Sequence, residues 1–445
     1  MAIQSLNPAT EEVVKTFEEI TEAELELKLA KAQAAFEMWK KVSFQDRAKL
    51  FMKLSDYLQE HKAELGKLAT IEMGKTAVAG DRELEKSALT CEYFAENAER
   101  FLTPEKVDTN ASESFVRFDP LGVILGVMPW NFPFWQVYRG AAPALMAGNV
   151  MVVKHASNVP QCAMAIEKSF VECGFPEGVF QNLLLGSARV EKVIRDPRVM
   201  GVTLTGSEKA GAEVAKIAGS EIKKVVLELG GSDPFIVFED ADLNLACEIA
   251  TSSRISSNSG QACNAAKRFI VHESVVTEFT KKLVEQFKIV EQAPLALEQI
   301  LIEVERQVNE SVKLGAKLEL GGKRIGNKGY FYEPTVLTRV KKGMPVYDEE
   351  TFGPVAAIST FTDEAEAIMM ANDTPYGLGA TILTSDLAKA KRLIPMIEAG
   401  NVYVNGQVRS DPRTPFGGIK KSGYGRELGS YGIKEFVNIK TVWIK

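Results

Sequence analysis

Hydrophobic positions recur with a helical period through most of the first hundred residues. The segment Thr21-Glu-Ala-Glu24 has the form of a capping box and opens an amphipathic run to about residue 41. Further runs of this kind cover 43–61 and about 81–101, and the alternating segment 115–120 follows them. The pattern therefore predicts a helical N-terminal region that ends in a strand.

From Gly122 onward, short apolar runs alternate with helical stretches. The predicted strands of this region are 123–127, 150–153, 179–185, 201–204 and 224–227. The predicted helices between them are 134–147, 160–173, 189–195 and 207–217. This alternation is typical of parallel βαβ units.

A second α/β series follows Glu228, and the chain ends in an alternating segment, 435–443, that predicts a terminal strand. A terminal strand can pair with a sheet elsewhere, including the sheet of a second copy. The predicted strands of the second series are 234–238, 267–271, 355–360, 379–383 and 401–404. Because a single core stops growing at about 250–300 residues, a chain of 445 residues predicts two or more domains.

Composition excludes several classes of function. The formal net charge is -6 and no basic tract stands out, which argues against nucleic-acid binding. No run reaches the roughly 18 apolar residues of a membrane span, and the N-terminus lacks a signal-peptide pattern. The five cysteines are widely spaced without a CxxC pair, and the three histidines are scattered. We therefore expect a cytoplasmic protein with no membrane partner, no disulfide framework and no metal site.

Cys263 and Glu228 are the first two candidates for chemistry. Cys263 ends the polar, glycine-containing loop 258–263, a setting in which a thiolate could reach a carbonyl. The common alternative for a single cysteine is a buried structural role. Glu228 ends an apolar strand before a Gly-Gly turn, where a carboxylate could line a cleft and activate water. Its alternative is an exposed glutamate at a strand end.

Asn131 and the turn Gly206–Ser207 are the next two candidates. The side-chain amide of Asn131 could donate to an oxyanion, although by itself this residue is better explained as a helix cap. Gly206–Ser207 follows a strand and opens a helix, whose N-terminus can bind phosphate. The chain has neither a GxGxxG fingerprint nor a P-loop.

These segments occur in the order and spacing of the aldehyde dehydrogenase superfamily, which the chain resembles over essentially its whole length. Two further motifs, at 350–354 and 415–427, fit the same family. The resemblance implies an α/β fold with a Rossmann-like cofactor domain (1–104 and 124–229) and an α/β catalytic domain (230–421). It also implies a small β oligomerisation element (105–123 and 422–445) and hence a homodimer or homotetramer.

The resemblance implies a covalent mechanism. Cys263 attacks the aldehyde to form a thiohemiacetal, whose oxyanion is held by the Asn131 amide and the Cys263 backbone N–H. Oxidation leaves a thioester, and Glu228 activates the water that hydrolyses it. Relatives that transfer the acyl group to coenzyme A usually lack this glutamate. The expected product is therefore a free carboxylic acid.

The resemblance also implies a nicotinamide cofactor. NAD-preferring relatives commonly carry a glutamate about three residues after the lysine that is Lys154 here, whereas this chain has Ser157 followed by Asn158. A carboxylate there would repel a 2′-phosphate, so NADP is the expected cofactor and NAD the alternative. The expected cofactor contacts are Met128, Trp130, Lys154, Ala156, Ser157, Gly206, Ser207, Leu229, Glu350 and Phe352.

Within the superfamily, the chain most resembles the short bacterial succinate-semialdehyde dehydrogenases. Arg139, eight residues after Asn131, is expected to bind the far carboxylate of a semialdehyde. Help could come from Ser257, or from Arg409, Ser410 or Arg413 in the loop 405–413. The expected apolar walls are Trp135, Phe132 and Phe416. The segment 287–295 is shorter than in most relatives and is expected to lie far from the motif residues.

Other functions stay open at this point. Glutarate semialdehyde, an aliphatic aldehyde or an aromatic aldehyde could be the substrate. A non-catalytic binding protein would not require Cys263, Glu228 and Asn131 together. A thioesterase-like activity would proceed without the cofactor.

Overall fold

The N-terminal region begins with a β-hairpin and continues as four helices in the computed structural model, which describes residues 3–256 and 258–445. The hairpin strands are Ile3–Asn7 and Glu12–Phe17. The expectation of helices from the start is therefore wrong for these residues, because the second strand is largely exposed and carries no amphipathic signal. The helices are Glu22–Trp39, Phe44–Glu60, Lys62–Met73 and Ala77–Leu102.

Local signals account for the start of the first helix. The Thr21 hydroxyl accepts from the Glu24 N–H, and the Glu24 carboxylate accepts from the Thr21 N–H at 2.7 Å. The predicted capping box is confirmed. The helix Lys62–Met73 is not among the predicted helices, and it ends at Gly74 in a left-handed conformation, as helices often do.

The first sheet has six strands, five of them parallel. In spatial order the strands are Gly423–Tyr424, Lys224–Glu228, Val199–Thr205, Val123–Met128, Val150–His155 and Phe180–Asn182. The connecting helices are Trp135–Met146, Pro160–Glu172, Val190–Arg195 and Glu208–Ser220. The predicted βαβ alternation is confirmed here.

The second sheet has seven strands, of which the edge strand Lys317–Leu320 alone is antiparallel to its neighbour. In spatial order they are Lys317–Leu320, Thr335–Thr338, Val355–Phe361, Ala266–His272, Asp233–Val237, Gly379–Leu383 and Asn401–Val404. The helices around this sheet and after it are Leu243–Thr251, Val276–Phe287, Glu298–Lys313, Pro345–Asp348, Glu364–Asn372, Leu387–Leu393 and Gly429–Gly432. The α/β fold class is confirmed.

A small antiparallel sheet completes the fold. Its strands are Glu105–Lys106, Glu113–Pro120 and Val437–Ile444. The C-terminal strand exposes several large apolar side chains, including Trp443 at 50%. Within the described ranges, no helix is long and apolar enough to cross a bilayer.

The motif residues follow the carboxyl ends of strands in the first sheet. Segment 129–133 follows Val123–Met128, and Gly206 follows Val199–Thr205. The carboxyl edge of a parallel sheet is where ligands bind in open α/β folds. The loop that carries Cys263 leads into strand Ala266–His272 of the second sheet, and Cys263 packs against the hydrophobic core of the first sheet.

Candidate active site

Cys263 lies where two cavities meet, and among the described residues it alone lines both. The first, here called the aromatic cavity, has a volume of about 250 Å³ and is lined by Pro129, Trp130, Asn131, Thr205, Gly206, Ser207, Leu229, Gly230, Cys263, Ile300, Glu350 and Phe352. The second, called the cationic cavity, has a volume of about 230 Å³. Its charged and aromatic lining includes Lys86, Arg139, Arg409, Phe132, Trp135 and Phe416.

The backbone of the Cys263 loop is held by side chains within and outside it. Asn258 Nδ2 donates to the carbonyls of Asn131, at 2.8 Å, and Gln261, at 3.0 Å. Gly260 has φ of +77°, and a Cβ atom there would collide with the carbonyl of Gly353. Only glycine fits this turn, so the loop conformation depends on it.

The segment after helix Val276–Phe287 braces the same loop. The Ala296 N–H donates to Gln261 Oε1 at 2.9 Å, and the Ser259 hydroxyl donates to the Ala293 carbonyl at 3.1 Å. The expectation that segment 287–295 lies far from the motif residues is therefore wrong. Long-range contacts of this kind have no local signature in a sequence.

Cys263 differs from the other cysteines in exposure. It is half-buried, whereas Cys91, Cys162, Cys173 and Cys247 are buried. Burial raises the pKa of the Cys263 thiol to about 11, and the Lys267 and Arg139 cations oppose that shift. The thiol is therefore protonated at neutral pH in this arrangement, and a bound ligand or a base must help to form the thiolate.

Asn131 is not the helix cap that its position suggested. The first backbone N–H groups of helix Trp135–Met146 come from Phe134 and Trp135, and they donate to the Glu83 carboxylate at 2.8 and 2.9 Å. Glu83 is in turn paired with the buried Lys75. The Asn131 amide instead donates to the Gln261 carbonyl at 3.0 Å, inside the loop 258–263. Its position beside Cys263 leaves the second amide hydrogen available to a ligand.

Glu228 is buried and lines neither cavity. Among the described residues, neither of its carboxylate oxygens has a hydrogen-bond partner. Burial raises the pKa of Glu228 well above its usual range, the charge of Glu427 adds to the shift, and Arg139 and Arg426 oppose it. The surroundings therefore favour the neutral form of this carboxyl group.

Lys267 connects the aromatic cavity to the backbone of Cys263. Its Nζ donates to Glu350 Oε1 at 2.7 Å and to the carbonyls of Cys263 and Gly231, each at 2.6 Å. Phe352 lies edge-on to Trp130, with ring centroids 5.7 Å apart. Lys267 is not among the predicted site residues, although it lies only four positions after Cys263 in the sequence.

The other predicted cofactor contacts lie at the helix N-terminus beside the aromatic cavity and along two strands of the first sheet. Ser207 caps helix Glu208–Ser220 by accepting from the Ala210 N–H at 3.3 Å, and this helix end borders the cavity. The remaining predicted contacts lie along the ends of two paired strands, at Met128, Lys154, Ala156 and Ser157. Of these, Ser157 is exposed and Met128 is buried.

Arg139 lines the cationic cavity, but its guanidinium is already paired. It forms an ion pair with the buried Glu427 and donates to the Thr205 hydroxyl at 3.0 Å. Only 2% of Arg139 is exposed. Phe132, Trp135 and Phe416 line the same cavity, as predicted for the apolar walls. Ser257 lies outside the described residues.

Comparison with known proteins gives a consistent result. The model of the aldehyde dehydrogenase family matches residues 1–442. A probable NADP-dependent succinate-semialdehyde dehydrogenase from Synechocystis sp. is 49% identical, and the alignment covers 100% of both chains. An enzyme of Mycobacterium tuberculosis named NADP-dependent succinate-semialdehyde dehydrogenase 1 is 48% identical, again over 100% of both.

Solved structures agree with the sequence relatives. The crystal structure of succinic semialdehyde dehydrogenase from Streptococcus pyogenes in complex with NADP+ superposes with a TM-score of 0.97. It is 37% identical, and the match covers 100% of both chains. This chain belongs to the aldehyde dehydrogenase family.

Proposed function

We propose that this protein oxidises succinate semialdehyde to succinate with NADP. The observation that carries the proposal is the position of Cys263 between an aromatic cavity and a cationic one. A nucleophile at such a junction can face a cofactor on one side and an anionic substrate on the other. The relatives named for this activity align over their whole length, which supports the same substrate and cofactor here.

The aromatic cavity suits a nicotinamide dinucleotide. The helix N-terminus at Gly206–Ser207 would bind the pyrophosphate, and Glu350 would accept from the ribose hydroxyls. A Cβ atom on Gly230 would collide with the Glu350 carboxylate, so this glycine leaves room for that side chain. When bound, the cofactor would accept a hydride, that is, two electrons and a proton, from the substrate carbon.

Lys154 and Ser157 support NADP over NAD. Both lie at the end of strand Val150–His155 or just after it, and Ser157 is exposed. A hydroxyl and an ammonium can both donate to a 2′-phosphate, whereas a carboxylate at position 157 would repel it.

Cys263 supplies the nucleophile. Its thiolate forms the C–S bond as the carbonyl π electrons move to oxygen, which gives a thiohemiacetal oxyanion. The free amide hydrogen of Asn131 and the backbone N–H of Cys263 donate to that oxygen. These donors are set in place by the hydrogen bonds of the 258–263 loop before the substrate binds.

Glu228 supplies the base for hydrolysis. After oxidation, the acyl group is held as a thioester on Cys263. Water adds to its carbonyl carbon, Glu228 takes the water proton, and the C–S bond breaks to release the acid and the thiolate. Burial favours the neutral carboxyl at rest, so the side chain becomes an effective base once it rotates toward Cys263 and loses its proton.

We further propose that the chain is a cytoplasmic homodimer or homotetramer with the domain division 1–104 with 124–229, 230–421, and 105–123 with 422–445. The exposed apolar side chains of strand Val437–Ile444 support assembly through this strand. Sedimentation velocity on the full chain tests the proposed oligomeric state, and a monomer at micromolar concentration would contradict it.

A panel of aldehydes and cofactors tests the proposed function. We expect kcat/KM for succinate semialdehyde to exceed that for butanal, which has the same carbon chain without the carboxylate, by at least about tenfold. We also expect NADP to be preferred over NAD. Glutarate semialdehyde and benzaldehyde complete the panel. Equal efficiency with butanal would contradict the assignment of an anionic substrate.

A further inference from the structure

Lys267 joins three segments that meet beside the aromatic cavity. It lies in strand Ala266–His272, and only 1% of its side chain is exposed. Its Nζ donates to the carbonyls of Gly231 and Cys263, each at 2.6 Å, and to Glu350 Oε1 at 2.7 Å. An ammonium has three hydrogens, so these acceptors use all of its donors. Lys267 therefore acts through these groups and not on a ligand directly.

The two carboxylate oxygens of Glu350 have different surroundings. Oε1 accepts from Lys267 and also from the Gly231 N–H at 3.0 Å. Oε2 makes no hydrogen bond within the described part of the chain, and it lies close to Gly230, which lines the aromatic cavity. The first oxygen is thus bound to the protein, and the second is left for a ligand in that cavity.

The backbone beside Glu350 is anchored independently of Lys267. The buried Arg254 donates to the Thr351 carbonyl at 2.7 Å, which fixes the chain directly after Glu350. This bond places the backbone but leaves the side-chain torsions of Glu350 undetermined. The orientation of the carboxylate is therefore set by its bonds to Lys267 and to the Gly231 N–H.

Asp233 is the other acid near Lys267, and it does not replace Glu350. Burial raises the pKa of Asp233 to about 7, and the charge of Lys267 opposes this shift. Its Oδ1 accepts from the Gly379 N–H at 3.1 Å, and it forms no ion pair with Lys267. Glu350 is thus the carboxylate that balances the charge of Lys267.

We propose that Lys267 is a positioning residue that holds Glu350 against the backbone of Cys263 and so sets the distance between the cofactor ribose and the nucleophile. The inference rests on the proposed function, in which Glu350 accepts from the ribose hydroxyls of the cofactor. A ribose bound at Oε2 is then fixed to the same ammonium as the Cys263 carbonyl. Hydride transfer depends on this distance, because the two carbons must be close and aligned when the hydride passes.

Substitution of Lys267 tests the inference at the hydride-transfer step. The measured quantity is the rate constant of NADPH formation in a single turnover, with NADP-loaded protein in excess over succinate semialdehyde. We expect Lys267→Met to lower this rate constant by about ten- to a hundredfold, the effect of losing one charge-assisted hydrogen bond. Lys67→Met removes an exposed lysine that lines neither cavity and should leave the rate constant unchanged.

Glu350→Gln and the double variant show whether the two residues act together. If Lys267 acts through Glu350, the double variant should be slower than the slower single variant by no more than about twofold. Effects that multiply would show that the residues act separately and would overturn the inference. A Lys267→Met protein with the native rate constant would overturn it as well. Lys267→Gln, which loses the charge and keeps two donors, gives the same comparison should Lys267→Met not fold.

Alkylation of Cys263 by iodoacetamide gives a second readout that requires no turnover. Burial raises the pKa of this thiol to about 11, the charges of Lys267 and Arg139 oppose the shift, and those of Glu228 and Glu350 add to it. At a fixed, mildly alkaline pH, Lys267→Met should therefore slow alkylation, and Glu350→Gln should accelerate it. A loosened fold would expose the thiol and accelerate both, so faster alkylation in Lys267→Met would overturn the assignment.

The same measurements separate this inference from the proposed function. If the native protein forms NADPH with no aldehyde of the panel, the proposed function is wrong, whereas alkylation still tests the link between Lys267, Glu350 and Cys263. If the native protein is active and the opposite changes in alkylation are absent, the role assigned to Lys267 is wrong and the proposed function stands.

Discussion

The two cavities that meet at Cys263 are built from different parts of the sequence. The aromatic cavity is lined almost entirely by motif segments, including 129–131, 205–207 and 229–230. The cationic cavity draws on helix Ala77–Leu102 and the loop 407–410, which carry no motif. The difference separates the chemistry common to the family from the choice of substrate, because only the second cavity has to match a particular aldehyde.

The cavities also differ in how their charges are balanced. On the aromatic side, Glu350 is paired with Lys267 at 2.7 Å, so an acid and a base are already matched. On the cationic side, Arg139 is matched by Glu427, whereas Arg82, Lys86 and Arg409 have no ion-pair partner among the described residues. A charge without a partner in a half-closed cavity lowers the stability of the folded protein, because it is partly removed from water. Such a charge therefore indicates a ligand-binding site.

Removing Cys263, the residue that both cavities share, should have the largest effect. We expect Cys263→Ala to lower kcat by at least about ten-thousandfold with every aldehyde, because no other group can form the thioester. Steady-state assays with NADP measure this. Binding of NADP, followed by protein fluorescence, should persist, since the aromatic cavity remains. Near-normal turnover would refute the covalent mechanism.

A change at Glu228 should affect a single reaction step, the hydrolysis of the thioester on Cys263. We expect Glu228→Gln to slow thioester hydrolysis by about 10²- to 10⁴-fold while acylation continues. Rapid mixing should then show a burst of NADPH followed by slow turnover. A uniform loss without a burst would contradict the assigned role.

The pH profile sharpens the same test. Because the pKa of Glu228 is raised, the base form is lost as pH falls, and the native deacylation rate should rise with pH. Glu228→Gln should remove this dependence from the slow phase. A slow phase with the native pH profile would assign the base to another group.

Substitution of Ser157 should give the smallest of these effects, and it should change only the preference between NADP and NAD. We expect Ser157→Glu to shift the ratio of kcat/KM for NADP over NAD toward NAD by about tenfold or more, because the new carboxylate repels the 2′-phosphate. Preference for succinate semialdehyde over butanal should stay the same, since the cationic cavity is untouched. An unchanged cofactor ratio would place the 2′-phosphate elsewhere.

Much of the fold could be predicted because its signals are local. Buried apolar runs and helical periods correctly predicted the parallel strands of the first sheet and the helices between them. The first hairpin and the strands Lys317–Leu320 and Thr335–Thr338 are not among the predicted elements. Lys317–Leu320 and the hairpin strand Glu12–Phe17 are largely exposed edge strands, whose sequence need not alternate in polarity.

The candidate site could be predicted only in part. The motif residues that line the aromatic cavity were all identifiable, and Cys263 lies at the predicted place between them. The sequence did not identify Lys267, Lys86 or Glu83, whose carboxylate accepts from the first N–H groups of helix Trp135–Met146. Each of these side chains contacts a partner that is distant in sequence. A lysine in an amphipathic helix gives no sign of whether it faces solvent or a cavity.

The sequence by itself determined the family, the candidate nucleophile and the βαβ alternation of the first sheet, because motif spacing and hydrophobic period are properties of neighbouring residues. Only the tertiary structure decided which cations beside Cys263 are paired. Arg139 and Lys86 are equally visible as charges in the sequence and line the same cavity, yet Arg139 is paired with Glu427 and Lys86 has no ion-pair partner among the described residues. Burial and pairing depend on residues brought together by folding, and these set the net charge that a substrate encounters.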